Sequence, residues 1–299
     1  MSQLKDKTVF ITGASSGIGK ACAELFATKK ANLILAARRV DRINNLAKRL
    51  EKENRIKIKC IQLDVRNYEQ VEKAISSLKS TWKKIDFLIN NAGLSRGLDK
   101  IYEGKKEDWD EMIDTNIKGL AFVTRHVVPL MIKRKKGHII NIGSTAGHEV
   151  YPGGNIYAAT KFAVNALSQS TRLDVLDKGI KVTSIDPGMV ETEFSLVRFR
   201  GNKERAKNVY IGLKPLTPID IAEAVLFCST RPNHVNINQV ILTPLAQASS
   251  TQVTEKKNNY TKTLMSPAPS LTMVGSSSLR SITEEGLPLR FPEASIKST

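Results

Sequence analysis

The chain has 299 residues, 41% apolar and 25% charged, enough for one large α/β domain with a sizeable core. No apolar run is long enough to cross a bilayer, and the first strand-like segment starts near residue 7, so neither a membrane span nor a secretory leader is expected. The 46 basic residues against 29 acidic ones give a charge of +17, which fits a lysine-rich solvated surface, a polyanionic partner such as nucleic acid, or a phosphorylated cofactor.

Strand-like and helix-like stretches alternate from the start. Residues 8–12 (TVFIT) read as a buried strand, 20–29 as a helix, 32–37 (NLILAA) as a strand and 42–53 as a helix. A third strand is predicted at 57–63, a helix at 71–82 and a fourth strand at 86–90 (DFLIN). A long helix follows at 109–135, with Pro129 expected to kink it. The remaining strands are predicted at 138–143, 181–186 and 239–242, with helices at 155–177 and 218–228. Seven apolar strands alternating with amphipathic helices predict an α/β fold: a single doubly wound parallel sheet covered on both faces. The domain is expected to span 1–249. Residues 250–299 are rich in Ser, Thr and Pro, lack periodicity, and read as a disordered tail.

Cys22, Cys60 and Cys228 form no paired framework, which points to a reducing, cytoplasmic setting. The histidines at 126, 138, 148 and 234 lack the spacing of a helical metal pair, so no metal is expected. Basic clusters interleave with few aromatics (6%), which argues against a nucleic-acid partner.

The first strand runs into Thr12-Gly13-Ala14-Ser15-Ser16-Gly17-Ile18-Gly19. Glycines at 13, 17 and 19 between a strand and a helix let the backbone approach a pyrophosphate, whose charge meets the free N–H groups of the helix start. Gly13, Ser15, Ser16, Gly17, Ile18 and Gly19 are therefore candidate cofactor contacts. At the end of the second strand stand Arg38 and Arg39, with no carboxylate before Asp41. A carboxylate there would bind a free ribose hydroxyl, whereas arginine attracts a 2′-phosphate, so NADP(H) is expected over NAD(H). The bland alternative is a pair of exposed loop charges. Asp64 either contacts the adenine amino group or caps the next helix.

Tyr-x3-Lys occurs three times, at Tyr102/Lys106, Tyr157/Lys161 and Tyr210/Lys214. The first and third contain a glycine and sit in loop-like stretches. The middle pair lies early in a long helix, where i and i+4 share a face, and has Ser144 13 residues upstream at a strand end. A tyrosine of pKa near 10 is a poor acid–base at neutral pH. A neighbouring ammonium plus an oxidised nicotinamide would have to lower it by about 2–3 units, roughly 3–4 kcal/mol. Tyr157 then exchanges a proton with an alcohol or carbonyl while Ser144 fixes the same oxygen.

These residues, with Asn90-Asn91-Ala92-Gly93, Asn116 and Asp186-Pro187-Gly188 followed by Val190-Glu191-Thr192, resemble the classical short-chain dehydrogenase/reductase family over about residues 5–248. The resemblance implies a Rossmann-like seven-stranded domain. Asn91, Ala92 and Gly93 would line the adenosine and nicotinamide-ribose side, and Pro187, Gly188, Val190 and Thr192 the nicotinamide end. Asn116 would hold a water linking Lys161 to solvent. The implied assembly is a homotetramer or homodimer built on the helices near 109–135 and 155–177.

The stretch 191–201 (ETEFSLVRFRG), with Arg231-Pro232 and Val235-Asn236-Ile237, is similar to the NADP-dependent 3-hydroxy acid dehydrogenase subgroup. That similarity implies oxidation of L-serine, L-allo-threonine and short 3-hydroxy acids, or reduction of the matching semialdehydes. Arg198, ahead of Arg200, is the candidate cation for the substrate carboxylate; its alternative is a surface salt bridge. The rival functions are a broad-specificity NADPH-dependent carbonyl reductase and a non-catalytic dinucleotide-binding regulator.

Overall fold

The computed structural model describes residues 4–254 and 261–263. Along the chain come β1 (Thr8–Thr12), α1 (Gly17–Thr28), β2 (Asn32–Ala37), α2 (Val40–Asn54), β3 (Ile58–Gln62), α3 (Tyr68–Ser76) and β4 (Ile85–Asn90). Then follow α4 (Lys106–Ile113), α5 (Leu120–Ile132), β5 (Gly137–Ile142), α6 (Asn155–Asp174) and β6 (Ile180–Pro187). The chain continues with α7 (Glu193–Arg198), α8 (Lys203–Asn208), α9 (Pro218–Ser229), β7 (Gln239–Leu242), β8 (Gln252–Thr254) and β9 (Thr261–Thr263).

Seven strands pair in parallel in the order β3-β2-β1-β4-β5-β6-β7. The expected doubly wound, Rossmann-like sheet is what forms. β1, β4 and β5 are buried along their whole length, as a sheet covered on both faces requires. Alternation sends Val9, Ile11, Leu33 and Leu35 into one apolar layer, shared with Phe26, Ile43 and Ile221 of α1, α2 and α9. Phe10, Ile34 and Leu88 point the other way, against Val71 of α3 and Val123 and Val127 of α5. Each such burial stabilises the fold by about 1.5–3 kcal/mol before entropy is counted.

Several boundaries differ from the sequence reading. Helix α3 stops at Ser76 instead of reaching 82, because the hydroxyls of Ser76 and Ser77 donate back to the carbonyls of Lys73 and Ala74. The predicted long helix at 109–135 is divided by a π-helical turn at Asp114–Gly119, whereas α5 continues through Pro129 to Ile132. At Gly119 a side chain would meet Val65 Cγ2 at 2.6 Å, so the glycine permits close packing at that break. Helices α7 and α8 were not foreseen; six residues each are too short to show a period. Strands β8 and β9 pair antiparallel inside the stretch read as a structureless tail, so regular pairing extends beyond residue 249. The rest of that tail lies outside the described residues.

Candidate active site

The strand order reverses between β1 and β4. A crevice opens there at the carboxyl ends of the strands, the place where open α/β sheets bind ligands. A cavity of about 480 Å³ occupies it.

The glycine turn forms its floor. Gly13 and Gly17 have φ of +66° and +52°, a backbone region that favours glycine. A side chain on Gly19 would meet Asn91 Nδ2 at 2.4 Å and the Gly13 carbonyl at 2.5 Å. The turn is stitched to β4. Thr12 Oγ1 accepts from the N–H groups of Asn91 and Ala92, both at 3.0 Å, while Asn91 Nδ2 donates to the carbonyls of Thr12 and Gly13. Ser16 caps α1 without a side-chain hydrogen bond, and the first residues of the helix, Gly17 and Ile18, line the cavity. Gly13, Ser15, Ser16, Gly17 and Ile18 all line the cavity; Gly19 supports them from behind.

Arg38, Arg39 and Asp64 line the adjoining wall. Arg39 is more than an exposed loop charge. It donates to Ser15 Oγ at 3.2 and 3.3 Å, to Ser16 Oγ at 2.8 Å and to Glu193 at 2.9 Å. Arg38 reaches Glu111 only at 3.8 Å. Asp64 does not cap α3, since Asn67 does so by accepting from Gln70 N–H. It pairs with Arg66 at 2.6 Å. Burial works against the Asp64 charge, but the Arg66 hydrogen bonds outweigh it and hold the carboxyl below its ordinary range.

At the far end Ser144, Tyr157 and Lys161 converge. Of the three Tyr-x3-Lys pairs, only this one places both members in the cavity wall; Tyr102 and Lys214 are exposed. Lys161 Nζ donates to the Ile142 carbonyl at 2.9 Å and lies 5.9 Å from the Tyr157 ring centre. Burial pulls its pKa down to about 8, against the nearby Asp186 charge. The Tyr157 phenol is raised above its usual value: burial outweighs the Arg198 charge and the Ser144 hydrogen bond, both of which lower it. The lowering expected from the sequence was that of Lys161 together with an oxidised nicotinamide; in the protein without cofactor, desolvation outweighs the nearby positive charge.

Asn116 sits inside the π-helical turn, outside the cavity wall. Its Oδ1 accepts from Leu94 N–H at 2.9 Å, and its Nδ2 donates to the Leu94 carbonyl and to Thr160 Oγ1. The carboxamide therefore fastens the turn to the loop after β4 and to α6. Ala92 and Gly93 lie on that loop, and Pro187, Gly188, Val190 and Thr192 close the opposite wall.

Arg198 is brought into the cavity and Arg200 is not. Arg200 turns away to pair with the buried Asp108. Arg198 donates to Ser95 Oγ at 3.1 Å and Tyr151 hydroxyl at 3.2 Å, and its guanidinium carbon lies 5.2 Å from the Tyr157 ring centre. No ion pair involves Arg198 among the described residues, which removes the surface-salt-bridge alternative. Ser95, Tyr151, Phe194 and Tyr210 complete this end, and none of them was a candidate site residue from the sequence. Tyr210 carried one signal, its Tyr-x3-Lys spacing, and stands in the wall without its lysine. Phe194 lay inside the 191–201 stretch without a role of its own; Ser95 and Tyr151 carried no signal, since they meet this site only through folding.

Comparison with known proteins agrees with this geometry. The short chain dehydrogenase family model matches residues 7–202. The chain is 43% identical over 258 residues to a protein of Schizosaccharomyces pombe named NADP-dependent 3-hydroxy acid dehydrogenase, covering 86% of this chain and 100% of that one. It is 46% identical over 241 residues to a protein of the same name from Salmonella typhi, covering 80% and 96%. Among solved structures, the closed form of serine dehydrogenase complexed with NADP+ aligns with a TM-score of 0.78 at 43% identity, over 81% of this chain and 97% of that one. The chain belongs to the short-chain dehydrogenase family.

Proposed function

We infer that this protein is an NADP-dependent oxidoreductase acting on the 3-hydroxyl of short hydroxy acids, of the L-serine, L-allo-threonine, 3-hydroxypropionate and 3-hydroxyisobutyrate type, or reducing the matching semialdehydes. The residues fit the cofactor. The glycine cradle clears a path for a pyrophosphate, and two arginines stand where an unphosphorylated ribose would call for a carboxylate. When bound, the nicotinamide supplies the hydride acceptor or donor and, when oxidised, a positive charge beside the phenol.

The chain's own residues do the rest. Ser144 holds the substrate oxygen. Tyr157 takes the hydroxyl proton in oxidation and returns it in reduction. Lys161 lowers the cost of the phenolate by its charge and exchanges protons with solvent past Asn116. Arg198 carries the choice of substrate: it is a cavity guanidinium beside Tyr157, held by two hydroxyls and no carboxylate. A 3-hydroxy acid brings the missing anion.

A broad ketone and aldehyde reductase is the second reading, supported by the apolar wall of Leu94, Tyr151, Phe194 and Val197. A panel of L-serine, 3-hydroxypropionate and a neutral ketone, each with NADP(H) and NAD(H), separates the two. Turnover of the acids that exceeds turnover of the ketone, with preference for NADP(H), supports the first. Unimpaired turnover by Tyr157→Phe would remove both.

We further assign residues 1–249 as the enzyme domain, a homotetramer or homodimer using α4, α5 and α6, and a cytoplasmic location. Exposed Phe162 and Leu173 on α6 support the pairing. Among the described residues no helix is long and apolar enough to cross a membrane. Light scattering of the purified protein tests the assembly.

A further inference from the structure

Glu193, the first residue of α7, sits between two arginines at the start of α2. Its Oε2 accepts from Arg39 at 2.9 Å, and its two oxygens accept from Arg42 at 2.7 and 3.1 Å. Arg39 turns its remaining nitrogens onto Ser15 and Ser16 of the glycine turn. One carboxylate therefore holds the guanidinium that the reading above offers to the cofactor's 2′-phosphate.

Three features make this contact exchangeable. The side chains of Arg39 and Glu193 are 44% and 40% exposed, so their attraction is screened and modest. Glu193 is ionised: burial opposes its charge, but hydrogen bonds from Arg42 and Arg39 hold its carboxyl below the ordinary range. Arg42 does not line the cavity, so Glu193 keeps a partner after Arg39 is drawn away. Exchange costs one ion pair and strands no charge.

We propose that Glu193 is an internal competitor for the 2′-phosphate of NADP(H), occupying Arg39 between cofactors and hastening cofactor exit. Its consequence is asymmetric. A dinucleotide lacking the 2′-phosphate has no claim on Arg39 and leaves the pair intact. The proposal rests on the NADP(H) reading above.

The test is cofactor binding without turnover, by fluorescence titration for Kd and stopped-flow displacement for the dissociation rate. Glu193→Gln is expected to tighten NADP+ and NADPH about 2- to 5-fold, mainly through slower dissociation, and to leave NAD+ unchanged. Glu204→Gln on α8 removes the same charge away from the cavity wall and should change nothing. Arg42→Gln leaves Glu193 with Arg39 alone and should weaken NADP+, but not in the Glu193→Gln background. That single variant also keeps the test alive if Glu193→Gln fails to fold. Weaker NADP+ binding in Glu193→Gln, or equal changes for NADP+ and NAD+, would overturn the inference. Wild-type protein that binds the two cofactors equally would overturn the NADP(H) reading and this inference together. A wild-type preference for NADP+ that Glu193→Gln leaves unmoved would overturn this inference alone.

Discussion

Lys161 lies 5.9 Å from the centre of the Tyr157 ring, yet its hydrogen bond goes to the Ile142 carbonyl, 2.9 Å away. Burial raises the phenol and brings the ammonium down to about 8, so desolvation pushes both groups toward their neutral forms. The positive charge of an oxidised nicotinamide bound beside the phenol would favour its ionised form.

The first prediction follows from that balance. Ultraviolet difference titration of wild type against Tyr157→Phe should place the phenol above its ordinary value without cofactor and move it down on addition of NADP+. A phenol unmoved by NADP+ would contradict the mechanism. Tyr157→Phe and Lys161→Met should each lower kcat by roughly 10²- to 10⁴-fold.

Arg198 and Arg200 provide a paired test. Arg198→Met should raise KM for L-serine and 3-hydroxypropionate by about 10- to 100-fold, the worth of a charge-assisted hydrogen bond, and leave a neutral ketone within about 2-fold. Arg200→Met, outside the cavity and paired with Asp108, should leave KM for both within about 2-fold and act on stability instead. Equal effects of Arg198→Met on acid and ketone would discard the carboxylate role.

Gly19 lines no part of the cavity but controls its floor. The methyl of Gly19→Ala falls 2.4 Å from Asn91 Nδ2 and 2.5 Å from the Gly13 carbonyl, so the turn or β4 must move. Stability should fall by about 1–3 kcal/mol, and NADPH should bind at least about 10-fold more weakly. Calorimetry and fluorescence titration measure the two effects separately.

His138 is buried in β5 with Nε2 2.7 Å from Thr183 Oγ1, and burial lowers its pKa to about 3, aided by Lys181. Between about pH 3 and 6.5 the unfolded chain binds a proton there that the folded chain does not, so this residue makes stability fall as pH falls through that window. The upper bound is about 5 kcal/mol. His138→Gln should lose less stability than wild type between pH 7 and 4.5 in urea unfolding. Parallel curves for the two proteins would refute the assignment.

The sheet and its order of elements were legible because strands buried on both faces leave unbroken apolar runs such as TVFIT and NLILAA, and the helices between them show a period. The glycine turn and the convergence of Ser144, Tyr157 and Lys161 were legible for a related reason: their spacing lies within a strand end, a turn and the start of one helix. Helices α7 and α8 escaped because six residues show no period. The π-helical turn at Asn116 escaped because its sequence continues a helical pattern while contacts to Leu94 and Thr160 accompany its altered register.

By itself the amino-acid sequence determined the fold class, the glycine turn after β1 and the helical spacing of Tyr157 and Lys161, since each depends on neighbours close along the chain. Tertiary structure alone decided that Arg198 enters the cavity while Arg200 pairs with Asp108, that Glu193 holds Arg39 and Arg42, and that burial raises the Tyr157 phenol above its ordinary value. Those outcomes depend on which distant groups meet, and on how much water they lose when they do; neither is written in local spacing.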